Sequence, residues 1–177
     1  VTTIVPGKLH RSVWTAISVL ASLVSVGLSA HLWNRVSEDG AISTLGGAVI
    51  VDGMAIFVFV IVALSVLLTA LLLDDYLDRE RLEPVETLGL LLMSGTGGMV
   101  MAAANDLIVL FLGIEILSIA VYVLAASHRR RISSTEAGMK YFLLGSFASA
   151  ILLYGMALTY GATGSFRLDS IASFLAD

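Results

Sequence analysis

The sequence predicts an all-α integral membrane protein, a multi-span helical bundle. Three observations lead there. The 177 residues are 58% hydrophobic and only 14% charged, against about 45–50% and about 25% for an ordinary soluble domain, and the mean hydropathy is +0.95. Apolar runs of spanning length occur at residues 12–32, 49–73, 88–104, 107–127 and 137–160. Finally, the basic residues divide unequally between alternate connections. Lys8, Arg11, Arg79, Arg81, Arg129, Arg130 and Arg131 fall on one side of a five-span chain, and only Arg35 and Arg167 on the other. That bias makes the first side cytoplasmic.

Each run reads as a helix, because an open strand edge cannot be satisfied in lipid. The first follows VTTIVPGKLHRS, which is not a secretory signal: the apolar run behind it is span-length and has no small-residue cleavage site. The second opens at Val51-Asp52-Gly53, where Asp52 can cap the first turn. Residues 74–86 mix charges of both signs and read as a solvated connection. The third run is short, and its Ser94, Gly98 and Ala102 recur every four residues, the spacing of a close helix contact in lipid. Asn105 and Asp106 leave a tight turn into the fourth. Ser133-Ser134-Thr135-Glu136 fits a capping box for the fifth, which carries its own small pair, Gly145 and Ser149. Residues 168–176 have the pattern of a short amphipathic helix lying on the far membrane surface. Trp14, Trp33, Tyr76 and Tyr160 lie near span ends, as interfacial anchors do. The whole chain, 1–177, reads as one transmembrane helical fragment of something longer, since it begins at Val1 and ends without a closing span.

Several function classes drop out. There is no cysteine and the net charge is −4, so thiolate chemistry and a nucleic-acid footprint are both excluded. His10, His31 and His128 have no ligand-like spacing, which argues against a metal site. Ser94-Gly95-Thr96-Gly97-Gly98 lacks the Lys-Ser/Thr of a phosphate loop and lies inside a span. No Ser/His/Asp grouping and no dinucleotide fingerprint is present.

What remains is Glu115, the one ionisable side chain midway along the fourth span. A carboxylate at that depth is costly, by roughly 2.5 kcal/mol or more, and spanning does not require it. Such a residue is an ion or proton site by default. Ser118 and Tyr122 follow at i+3 and i+7, so the three share one polar stripe. Burial raises a carboxyl's proton affinity and a nearby cation lowers it, the tunability a proton relay needs. The alternative is a neutral, hydrogen-bonded carboxyl kept for packing. Lys140 lies in the fifth span, about 9 Å from its start at Ser134, whereas Glu115 is about 18 Å from the same end. It either stretches towards the glutamate or snorkels to the headgroups.

The run ANDLIVLFLGIEILS, residues 104–118, resembles the glutamate helix of the antiporter-like, proton-pumping membrane subunits of NADH:quinone oxidoreductase (complex I). EAGMKYF at 136–142, LYGMAL at 153–158 and VDGMA at 51–55 are similar to the subunit N branch of that family. The resemblance covers about residues 49–166. It implies a longer protein of inverted five-helix repeats with broken helices lining half-channels. It also implies that Glu115 modulates a lysine two helices further on, beyond Asp177, that Lys140 is a relay residue, and that one helix is missing upstream. NADH, FMN, iron–sulfur clusters and quinone would be held by other subunits, with none in this chain. The partners would be the other membrane subunits and the lipid bilayer of a bacterial inner membrane. One departure is Ala120, where the family commonly has proline; a straighter helix is expected.

The function expected is therefore a share in proton translocation coupled to quinone reduction, within a translocase that does its redox chemistry elsewhere. Catalytic roles fall to Glu115 and Lys140 in the proton path, with Ser118 and Tyr122 ordering water. The alternatives are a subunit of a multi-subunit cation/proton antiporter, which shares the glutamate helix, and a structural membrane subunit without ion transport.

Overall fold

The computed structural model describes residues 11–80 and 82–176. Lys8, His10, Arg81 and the side chain of Arg11 lie outside the described residues. The element order is α1 (Arg11–Asp39), β1 (Ile42–Thr44), a 3-10 turn (Leu45–Gly47), β2 (Val49–Val51), α2 (Gly53–Glu80), α3 (Pro84–Ala102), α4 (Leu107–Ala125), α5 (Ile132–Thr163) and α6 (Leu168–Ala176). The first, second, third, fourth and fifth helices are each long and apolar enough to cross a membrane. Local chemistry sets their ends. Asp52 accepts the Ala55 amide at 2.8 Å and Asp106 the Ile108 amide at 2.8 Å, so each carboxylate satisfies a donor the helix cannot. Pro84 starts α3, where its missing N–H is no loss. Gly164, in the left-handed region at φ 73°, ends α5.

Two sequence expectations need correction. Val49, Ile50 and Val51 do not begin the second span; they form β2, paired antiparallel with β1 as Ile42↔Val51, Ser43↔Ile50 and Thr44↔Val49. Their pairing partner lies across a left-handed loop, Leu45-Gly46-Gly47, with φ of 52°, 66° and 91°. An apolar run alone does not separate a short strand from the start of a helix. The proposed capping box is also absent. The fifth helix starts earlier, at Ile132, with Arg131 as its cap residue and no side-chain capping bond. Ser134 instead donates to the Ala125 carbonyl at 2.6 Å, tying α5 back to the end of α4.

The two ends of the bundle are fastened differently. At the hairpin end, backbone groups do the work. The Ile50 amide donates to Ala103 at 2.8 Å, Asn105 to Ala48 at 2.9 Å, Leu107 to Phe166 at 2.9 Å and Leu168 to Asn105 at 2.9 Å. The hairpin, the α3–α4 turn and the α5–α6 turn thus form one hydrogen-bonded lattice that satisfies irregular backbone at the span ends. At the opposite end, which carries Arg79 and Arg129–Arg131, side chains hold the helices. Thr15 donates to Asp74 at 3.1 Å. Glu80 accepts from Arg131 at 2.8 and 3.0 Å and lies 3.0 Å from His128 Nε2.

The core sits among the first four helices. Ala55, Ile56, Ala63, Val66, Ala70 and Leu77 of α2 are buried. So are Ser18, Ser22 and Ser29 of α1, a face the sequence analysis did not single out. Ser22 and Ser29 donate to the carbonyl four residues back at 2.9 and 2.8 Å, so the hydroxyls enter the interface already satisfied. The closest α3–α4 approach is at Gly97 and Gly113, while Gly98 of the Ser94, Gly98 and Ala102 stripe is buried against Val62 and Leu117. A Cβ on Gly97 would lie 2.5 Å from the Leu117 amide nitrogen, and one on Gly113 would lie 2.8 Å from that of Met101. Gly95 faces Val66 on α2 instead. Several small residues on one helix leave its rotational setting open, and the neighbours on both sides decide it.

Candidate functional site

The site is built on the contact between α4 and α5. α4 carries Glu115 eight residues from its start and ten from its end, roughly 12 and 15 Å along the axis. α5 meets it with Gly138, Gly145 and Ser149, which share one face by their i, i+7, i+11 spacing. The small residues let α4 side chains reach across. A Cβ on Gly138 would collide with Ala126 at 2.5 Å, and one on Gly145 would overlap the Tyr122 hydroxyl. At the third point of contact Ser149 Oγ donates a hydrogen bond to Glu115 Oε1. Glu115 and Ser149 are both half-buried.

The structure thus gives Glu115 a polar partner that sequence reasoning missed as a site residue. Ser149 was visible as half of a small-residue pair with Gly145, but pairing it with Glu115 requires the register between two helices. Tyr122 lies on the same stripe as Glu115, and its hydroxyl packs over Gly145. Its ring meets Tyr141 and Phe142 edge-on, with centroids 5.0 and 6.0 Å apart. Ser118 is half-buried on that stripe. Ala120 is fully buried within an uninterrupted α4.

Lys140 is not brought to Glu115. It precedes Ser149 by nine residues, which is about 14 Å along the helix and half a turn round it. It therefore points away from the α4 contact. Its ammonium pairs instead with Glu136 of its own helix at 2.5 Å, with both side chains exposed, 69% and 57%.

A second charged group lies at the hairpin end. Arg167 donates to Asp169 at 3.0 and 2.6 Å and to the Gly46 carbonyl at 2.8 Å. The hydrogen bond from Arg167 holds the Asp169 carboxyl down at about 2, and the same bond raises the pKa of Arg167. Gly47 has no room for a side chain, since a Cβ there would lie 2.6 Å from the guanidinium. This group anchors α6 to the hairpin. Among the described residues no cluster of three or more His, Asp or Glu side chains is placed to hold a metal.

The bundle of spanning helices thus holds a mid-span carboxyl that is hydrogen-bonded across a small-residue helix contact. Residues 104–176 match the family described as NADH:quinone oxidoreductase/Mrp antiporter, transmembrane. Over those residues the chain is similar to that family, and over most of its length it is similar to subunit N. NADH-quinone oxidoreductase subunit N of Trichlorobacter lovleyi is 47% identical over 88% of this chain and 32% of that protein. The chain therefore spans about a third of the length of the curated relatives it matches. A chain of Thermus thermophilus respiratory complex I with bound aureothin superposes with a TM-score of 0.75 at 29% identity, over 90% of this chain and 34% of that one. A chain of the membrane-bound sulfane sulfur reductase, an archaeal respiratory membrane complex, gives 0.73 at 25% identity, over 90% and 34%.

Proposed function

We propose that this chain supplies part of the proton path of an antiporter-like subunit N in a bacterial NADH:quinone oxidoreductase, with Glu115 as the group that takes up and releases the proton. The observation that carries the reading is the Ser149–Glu115 hydrogen bond across the α4–α5 contact. A serine hydroxyl can donate to the charged carboxylate and accept from the neutral carboxyl, so it serves both protonation states. A mid-span acid with a polar partner and a neighbouring polar stripe is suited to titration rather than to packing alone. Ser118 and Tyr122 help order water beside the carboxyl. Lys140 is a relay candidate nearer the arginine end, acting at a distance from Glu115.

In this reading the assembly is a translocase whose redox chemistry, with NADH, FMN, iron–sulfur clusters and quinone, belongs to other subunits. The end bearing Arg79 and Arg129–Arg131 faces the cytoplasm, following the charge bias. The chain's partners are the neighbouring membrane subunits. The titrating partner of Glu115 is a cation supplied by another helix, since Lys140 is turned away from it.

The test is Glu115→Gln in the intact assembly. Redox-driven proton pumping falls while assembly is retained. Full pumping by a correctly assembled variant removes Glu115 from the path. The breadth of the matching family favours one second reading, a subunit of a multi-subunit cation/proton antiporter. Co-purifying flavin and iron–sulfur subunits support the first reading; small membrane subunits alone support the second.

A further inference from the structure

The arginine end contains a cavity that touches the Glu115 stripe only through Tyr122. It has a volume of about 330 Å³ and lies between α3, α4 and α5. Its mouth is polar. Glu86 stands in the first turn of α3, Thr135 in the first turn of α5, and Ser127 and Arg129 just beyond the end of α4. Deeper along the same helices the lining turns apolar, with Leu90 and Phe142. Glu86 and Arg129 are both exposed. Among the described residues neither has an ionic partner, whereas the nearby Arg131 is taken up by Glu80. An acid and a base thus stand at the rim of one apolar trough without neutralising each other.

We propose that this cavity binds one phospholipid with a zwitterionic, primary-amine headgroup, such as phosphatidylethanolamine. Arg129 takes the phosphate, aided by the Ser127 and Thr135 hydroxyls. Glu86 takes the ammonium, and one acyl chain lies along Leu90 and Phe142. The charge pattern selects this occupant. A purely anionic headgroup satisfies Arg129 but sets negative charge against Glu86. A trimethylated headgroup keeps the positive charge but has no N–H to donate to the carboxylate.

The test reconstitutes the protein, in its intact membrane assembly, into nanodiscs of equal phosphatidylethanolamine, phosphatidylcholine and phosphatidylglycerol. Lipid retained after mild detergent washing is counted by native mass spectrometry. The expected result is one retained phosphatidylethanolamine per copy that Arg129→Gln removes. Its retention should fall about fivefold, the equivalent of roughly 1 kcal/mol for one basic residue at the surface. Glu86→Gln should keep a lipid but shift its identity towards phosphatidylglycerol. Arg130→Gln, outside the cavity lining, should change nothing. Three outcomes overturn the proposal: retention of phosphatidylglycerol by the unaltered protein, retention indifferent to both variants, or no retained lipid because another part of the polypeptide fills the space.

Discussion

Glu115 and Lys140 are both ionisable residues within spanning helices, and the molecule treats them in opposite ways. Glu115 lies mid-span and points across the α4–α5 contact to a serine on the neighbouring helix. Lys140 sits nearer a helix end, turned outward, and is paired four residues back along its own helix. An exposed i, i+4 pair contributes only about 0.3–0.5 kcal/mol. A hydrogen bond to a charged group is worth about 1.5–3 kcal/mol. The contrast shows that being charged and apolar-flanked does not make a residue part of a buried site. Depth and helix face decide it, and both follow from the 3.6-residue period once the contact register is known.

The contrast can be broken most severely at the glycines beneath it. Gly145→Leu has to displace the Tyr122 hydroxyl and drive α5 from α4. Overpacking of this kind costs typically 1–3 kcal/mol, and separation of the helices would also undo the Glu115–Ser149 bond. Reduced thermal stability together with lost pumping is expected, measured by melting of the detergent-solubilised assembly and by proton uptake in vesicles. Ser149→Ala is the sharper probe. It leaves the helix contact in place and removes one hydrogen bond to the carboxyl, so pumping should fall while the stability loss stays within about 1.5–3 kcal/mol. If Ser149→Ala pumps normally, the partner seen here is incidental.

A smaller effect is expected at the hairpin end. Asp169 has its folded pKa depressed from 3.8 to about 2 by Arg167. Its contribution is therefore complete above the unfolded value and lost as pH falls through the window between 3.8 and about 2. The join between α6 and the hairpin should loosen on acidification through that window, read as faster amide exchange at the Leu168 amide. Arg167→Gln should make the join insensitive to this pH change. The smallest effect is that of Lys140→Gln on stability, which should stay within about 0.5 kcal/mol. On pumping it should cost less than Glu115→Gln does. Equal losses from the two variants would put them in one tightly coupled unit and erase the distinction.

Much of this was legible in the sequence because lipid imposes simple rules. Five apolar runs became five helices, and Asp52 capped where its position forecast. Glu115 stood out by chemistry alone. The unread parts share a cause. The β1–β2 hairpin, the Gly97–Gly113 crossing and the Ser149 partner all depend on which residue faces which across two elements. A run such as Val49–Val51 carries the same apolarity in a strand as in a helix, so only its pairing with Ile42–Thr44 tells them apart. The face made by Gly138, Gly145 and Ser149 was present as an i, i+7, i+11 pattern, and aligning it against Ala126, Tyr122 and Glu115 on an antiparallel neighbour would have found the site.

The central claim is that the Glu115 carboxyl changes protonation while hydrogen-bonded to Ser149. Infrared difference spectroscopy on the working assembly tests it directly. A carboxyl stretching band should appear or vanish on turnover, be absent in Glu115→Gln and shift in frequency in Ser149→Ala. A turnover spectrum that is the same in all three proteins would contradict the account.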